Sequence, residues 1–96
     1  MPRGSRADWT DLVDRYDELK EEYHEELQRL CKVKREVNEV IQAVEDIRMR
    51  EVLEWRYLHG YSWEKIARVM DYDLRWIYRL HGEALKSVDE YLRGEV

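Results

Sequence analysis

Hydrophobic positions recur with a seven-residue period through the first half of the chain. Trp9, Tyr16, Tyr23, Leu30, Val37 and Val44 fall on one heptad position, and Leu12, Leu19, Glu26, Val33, Val40 and Ile47 on the other, so eleven of twelve seam positions are apolar. Such regularity predicts one long coiled-coil-like helix over residues 8–45 that associates with further copies through this stripe. No Gly or Pro interrupts the chain between Ser5 and Gly60. Val13, Leu27 and Ile41 widen the stripe, and a parallel dimer would set Arg15 against Lys20 and Arg29 against Lys34. A bundle or an antiparallel pairing suits the pattern better. Glu26 is the one charge in the seam. Burying it unpaired would cost several kcal/mol, so it needs a partner or an open edge and is a candidate for setting register.

From residue 46 the pattern changes to shorter segments. Asp46 can cap a helix near residues 47–58 with Ile47, Val52, Leu53 and Leu58 on its apolar face, and Gly60 supplies a left-handed stop. Ser62 then caps a short helix carrying Trp63, Ile66, Ala67, Val69 and Met70. Asp73 caps a longer one with Leu74, Ile77, Leu80, Ala84, Leu85, Val88 and Leu92. The predicted class is all-α: a start over residues 1–7, a long oligomerisation helix over 8–45, and a helical domain over 46–96. The opening MPRGS is read as a cloning remnant or a disordered natural start and carries no weight in the fold.

Composition agrees with this class. The chain has 96 residues, enough for one small domain plus an extension, and only four Gly and one Pro. Phe is absent, whereas Trp and Tyr together number eleven, so its aromatic side chains carry polar handles. Lone Cys31 forms no intramolecular disulfide, which points to a reducing cytoplasm. No apolar run approaches the roughly 18 residues of a membrane span, and no signal-peptide core opens the chain. Net charge is -5. Residues 1–45 hold 8 basic against 12 acidic side chains and residues 46–96 hold 9 against 10, so neither half is a strongly basic module.

Few residues suggest covalent or metal chemistry. His24 with Glu21, Glu25 and Glu26 lacks the paired histidines of a zinc helix and reads as a solvated face, so neither metal nor cofactor is expected. Cys31, close to the seam, reads as a small core residue rather than a nucleophile. No glycine-rich phosphate loop and no nucleophile paired with a base is present, and the chain is not expected to be an enzyme.

The two segments around DYD have the spacing of a helix-turn-helix: small Ala67 inside the first helix, a three-residue joint, and Ile66, Met70, Tyr72, Ile77 and Leu80 where the pair touch. Helical hairpins without a nucleic-acid role use the same physics. Over residues 44–92 the chain resembles the promoter-reading region four of bacterial sigma factors. It is more similar still to a family of small phage-encoded proteins of unassigned function that carry this sigma-like helix-turn-helix behind a long helix. The resemblance rests on Arg56, Tyr57, Gly60, Ser62, Trp63, Ile66 and Ala67 in RYLHGYSWEKIA and on Tyr78, Arg79, His81, Gly82, Ala84 and Leu85 in YRLHGEAL.

The resemblance implies a phage or prophage transcription regulator that binds double-stranded DNA, with the helix after Asp73 in the major groove. Its outward positions would be Leu74, Arg75, Trp76, Tyr78 and Arg79, then Gly82, Glu83 and Lys86. Arg75 and Arg79, four apart, can share one groove, where Arg bonds guanine bidentately or takes a phosphate. Tyr78 can donate to phosphate, Trp76 can pack on a sugar or thymine methyl or equally within an interface, and Lys65 and Arg68 can hold the backbone. Gly82 inside a helix costs about 1 kcal/mol against Ala, which suggests close approach by another backbone or a phosphate. Asp71 stands where such motifs carry Gly, and with Asp73 it puts negative charge beside the expected DNA face. Those charges motivate an alternative, a protein-interaction module that docks on host RNA polymerase or another phage protein without DNA.

Overall fold

A computed structural model describes residues 6–94, and side-chain burial for residues 8–94. Helix α1 spans Arg6–Gln42, α2 Ile47–Leu53, α3 Trp63–Met70 and α4 Leu74–Arg93, and α2 continues into a wider π-helical turn over Glu54–Leu58. The described residues hold no strand. Residues 1–5 of the expected start lie outside the described part. The chain divides into two compact units, Met1–Val33 and Lys34–Val96.

The first unit is helical from Arg6 onward. The Arg29 guanidinium donates to Glu26 Oε1 at 2.7 Å, and the Lys20 ammonium lies 4.0 Å from Asp17 and 5.4 Å from the Tyr16 ring centroid. Arg29 holds the Glu26 carboxyl below its ordinary pKa, first through that hydrogen bond and then through its charge. Trp9, Leu12, Tyr16, Leu19, Tyr23 and Leu30 are all exposed, as are Leu27 and Val33. Cys31 is exposed as well and follows Leu30 by one helical step, off the apolar stripe.

In the second unit the predicted helix end is corrected. Helix α1 stops at Gln42, and its last turn tightens through Ala43 N–H to Val40 O and Val44 N–H to Ile41 O. Arg50 occupies the freed carbonyls, with Nε donating to Val44 O at 3.0 Å and Nη2 to Glu45 O at 3.3 Å. The heptad phase therefore lapses before Val44, which is 1% exposed and packs with Ile41, Leu53 and Ala84 instead of joining the seam. Val40 is half-buried and Val37 exposed. Ile47 also leaves the expected apolar face: at the first turn of α2 it is 64% exposed.

Asp46 caps α2 as expected, accepting from the N–H groups of Arg48 and Met49. The Met49 N–H is the main reason its carboxyl lies below the ordinary pKa, against a smaller opposing effect of burial. Consecutive α2 residues then serve two clusters. Val52 packs with Ile66, Ala67, Ile77 and Leu80, Leu53 packs in the cluster of Ile41, Val44 and Ala84, and Met49 borders both. Burying an Ile or Leu side chain fully contributes about 1.5–3 kcal/mol, so these positions dominate stability. On α4 the inward stripe is Ile77, Leu80, Ala84 and partly Val88, whereas Leu85 and Leu92, expected on it, are exposed because their steps fall off that line. Val69 on α3 is likewise exposed.

Candidate nucleic-acid interface

Helix α3 begins where Ser62 Oγ accepts from the Lys65 N–H at 3.2 Å. It buries Ile66 and Ala67 and leaves Lys65, Arg68 and Val69 exposed. Its end is a Schellman motif: Tyr72 N–H donates to Ala67 O at 3.0 Å and Asp71 N–H to Arg68 O at 3.3 Å. This geometry demands a left-handed residue, and Asp71 supplies it with φ 58° and ψ 44°. Asp73 Oδ1 then accepts from the Trp76 N–H at 2.7 Å and starts α4. The predicted three-residue joint and both caps are present.

With Ile77, Leu80 and Ala84 buried, Arg75, Arg79, Gly82 and Lys86 share the solvent face of α4, all four exposed. Among the described residues Arg75 and Lys86, and Arg68 on α3, have neither an ion-pair partner nor an aromatic ring beneath them. Arg79 is less free: its Nε lies 3.9 Å from Glu83 Oε1 and its guanidinium 5.7 Å from the Trp76 ring centroid. Gly82 is in α4, yet a methyl group added there would meet nothing within 4 Å. Nothing inside the fold uses its missing side chain.

The other expected contact residues are partly engaged. Trp76 is half-buried against the first cluster and meets Tyr72 edge-on at 6.4 Å, so its indole serves packing. Leu74 is half-buried too. Tyr78 is exposed but touches Trp63 edge-on at 5.7 Å. The Lys65 ammonium sits 3.8 Å from the Tyr61 ring centroid, and Tyr61 stacks on Trp55 at 4.9 Å.

A polar aromatic clamp to which sequence reasoning gave no role joins the π-helical turn to α3 and α4. The turn closes with His59 N–H to Glu54 O at 3.1 Å. It carries Arg56, whose guanidinium lies 4.4 Å from the Trp63 ring centroid and donates to Tyr61 O at 3.1 Å. The neighbouring Tyr57 hydroxyl lies 2.8 Å from His81 Nε2, and His81 packs on Trp63 at 4.6 Å. Burial, then the Arg56 charge, lowers the His81 pKa, which keeps the ring neutral so that Nε2 accepts from the Tyr57 hydroxyl when its proton is on Nδ1. The available signal was the density of polar aromatics in RYLHGYSW with a His at position 81. Periodicity is blind to it because these contacts run between segments.

Comparison with protein-family models, curated proteins and solved structures finds no match to this chain. Among the described residues no group of three or more His, Cys, Asp or Glu gathers as metal ligands. No helix among the described residues is long and apolar enough to cross a membrane.

Proposed function

We propose that the chain is a sequence-specific, double-stranded DNA-binding transcription regulator of phage or prophage origin, acting in a bacterial cytoplasm, whose α3–α4 pair is a sigma region four-like helix-turn-helix. Helix α4 enters the major groove, and the apolar stripe of α1 assembles copies so that several reading heads act together. Gly82 is the observation that carries this reading. It lies exposed in mid-helix with no internal contact to justify it, and Arg75, Arg79 and Lys86 line the same face. A glycine there lets a phosphodiester backbone approach the helix closely. Arg75 and Arg79 reach guanine edges or phosphates, and Lys86, Arg68 and Lys65 hold the backbone. The Tyr57, Trp63 and His81 clamp fixes the pitch of α4, and Trp76 supports the Arg79 guanidinium. The chain acts by binding, not as an enzyme.

The test is selection from random duplex DNA, followed by anisotropy titration of the selected site across a salt series. Arg75→Ala and Arg79→Ala should each weaken the selected site by about 10- to 100-fold, the range of a lost bidentate contact. Lys86→Ala should weaken all sequences alike and reduce the salt slope by about 0.9. No selected site, and no salt-sensitive binding, would sink the proposal.

A second reading has its own observation. Asp71, Asp73 and Glu83 are exposed acids beside the cationic stripe. They suit a basic protein surface, such as one on host RNA polymerase, better than phosphate. Capture of polymerase from host extract that survives nuclease treatment and is lost on Asp71→Asn with Asp73→Asn would favour this reading.

A further inference from the structure

From Asp8 to Glu39 every residue except Val13 is exposed. A helix in water draws most of its stability from packing an apolar face, so a bare stripe of Trp, Tyr, Leu and Val along so many turns calls for a partner. The residue sizes along the stripe identify that partner. Its aromatic rings, Trp9, Tyr16 and Tyr23, lie toward the N-terminus, and Val33, Val37 and Val40 lie toward the other end. Two parallel copies would oppose ring to ring at one end, valine to valine at the other, and Glu26 to Glu26 between.

We infer that residues 9–40 of α1 pair with the same segment of a second copy in antiparallel, with Tyr23 facing Glu26 of the other chain. The two heptad positions then alternate across the seam. Tyr16 meets Val33, Leu12 meets Val37 and Leu19 meets Leu30, so a large side chain faces a small one or a leucine faces its like, each layer repeated by the two-fold axis. Trp9 reaches the half-buried Val40 at the ends. Glu26 gains a donor, the Tyr23 hydroxyl of the second copy, beside the Arg29 it already pairs with at 2.7 Å.

The flanking charges select the same register. Arg15 comes opposite Glu36, and Glu22 opposite Arg29, giving four attractive pairs per dimer, while Lys20 lies beside Leu27. The parallel alternative makes Arg15–Lys20 and Arg29–Lys34 contacts, both repulsive. The halves also differ in charge: residues 9–24 hold two basic and six acidic side chains, and residues 25–40 hold four of each. Antiparallel pairing sets the acidic half against the balanced one. This pairing gives direction to the assembly proposed above, and it is measured without DNA.

The experiment is sedimentation equilibrium of the full chain, with circular dichroism as a control for helix content. The wild-type chain should be a dimer at micromolar concentration. Arg15→Glu should weaken it about tenfold, since two exposed attractive pairs become repulsive, and Arg15→Glu with Glu36→Arg should restore it. A parallel dimer responds with the opposite sign, because Arg15→Glu would then face Lys20 and tighten association. In a Cys31→Ser background, mixing Leu12→Cys chains with Val37→Cys chains and oxidising should give the mixed disulfide. Homodisulfides alone, tightening by Arg15→Glu, or a chain monomeric throughout the micromolar range would each overturn the pairing. Loss of DNA binding by Arg75→Ala with an unchanged dimer constant keeps the two proposals separable.

Discussion

Asp71 is the position where backbone strain and surface charge can be separated by three substitutions. Its φ of 58° is the one positive value among the described non-glycine residues, and the Schellman hydrogen bonds to Ala67 and Arg68 hold it there. A side chain in this conformation costs roughly 1–2 kcal/mol, less for Asp, whose short polar group bonds locally. Glycine removes the clash but loses about 0.5–1 kcal/mol through the freedom of its unfolded state. Asp71→Gly should therefore stay within about 0.5 kcal/mol of the parent, and Asp71→Ala should destabilise by about 1 kcal/mol. The spread corresponds to thermal midpoints separated by about 4–8 °C per kcal/mol for a unit of this size. Urea and thermal unfolding at one fixed protein concentration would read it, since association shifts apparent stability. Asp71→Asn tolerates the same backbone and removes only the charge, so its stability should match the parent. Its affinity for DNA should rise about two- to fivefold at low salt, the effect of one like charge a few ångströms from phosphate in water. Were Gly no more stable than Ala at this position, the strain reasoning would be refuted. A flat response of DNA binding to Asn would refute the charge reasoning alone.

Gly82→Ala should leave the fold intact and raise helix stability by about 1 kcal/mol, since an added methyl meets nothing within 4 Å; paired melting and anisotropy curves should show tighter folding with weaker DNA binding, and unchanged binding would remove Gly82 from the interface. Ile77→Ala should cost about 2–5 kcal/mol in urea unfolding, as expected for a fully buried side chain. Val44→Ala should destabilise the Lys34–Val96 unit measurably in the same assay, whereas Ile47→Ala, at an exposed position, should not. His81 has a folded-state pKa below its ordinary 6.5, so the unfolded chain binds its proton first. Its contribution is complete above that value and is lost as pH falls through and below it, and His81→Gln should flatten that part of the stability profile between pH 7 and 5.

The helical class, three N-caps and the three-residue joint were legible in sequence because each depends on local rules: a periodic stripe, an Asp or Ser before it, and a residue tolerant of positive φ after it. Asp46, Ser62 and Asp73 cap as their positions require. The spacing of Arg75 and Arg79 placed both on one face for the same reason, whereas the outward set implied by the resemblance also held Leu74 and Trp76, which are half-buried. Val44 and Ile47 were misplaced because a heptad count carries its phase past a helix end that only a competing contact reveals. Local sequence does not say that Arg50 will take the carbonyls of residues 44 and 45, or that Ala84, forty residues away, leaves room for Val44.

The tertiary structure alone decided the π-helical turn and the clamp it positions, in which Arg56, Tyr57, Trp63 and His81 meet across three segments. It also decided which of the expected contact residues are free. Arg75, Arg68 and Lys86 are open, whereas Lys65 rests over Tyr61 and Trp76 packs against the core. The sequence by itself determined where helices start, stop and turn their apolar faces, because those are energies between residues a few positions apart. Which faces meet, and which charges remain for a partner, depends on contacts between distant residues.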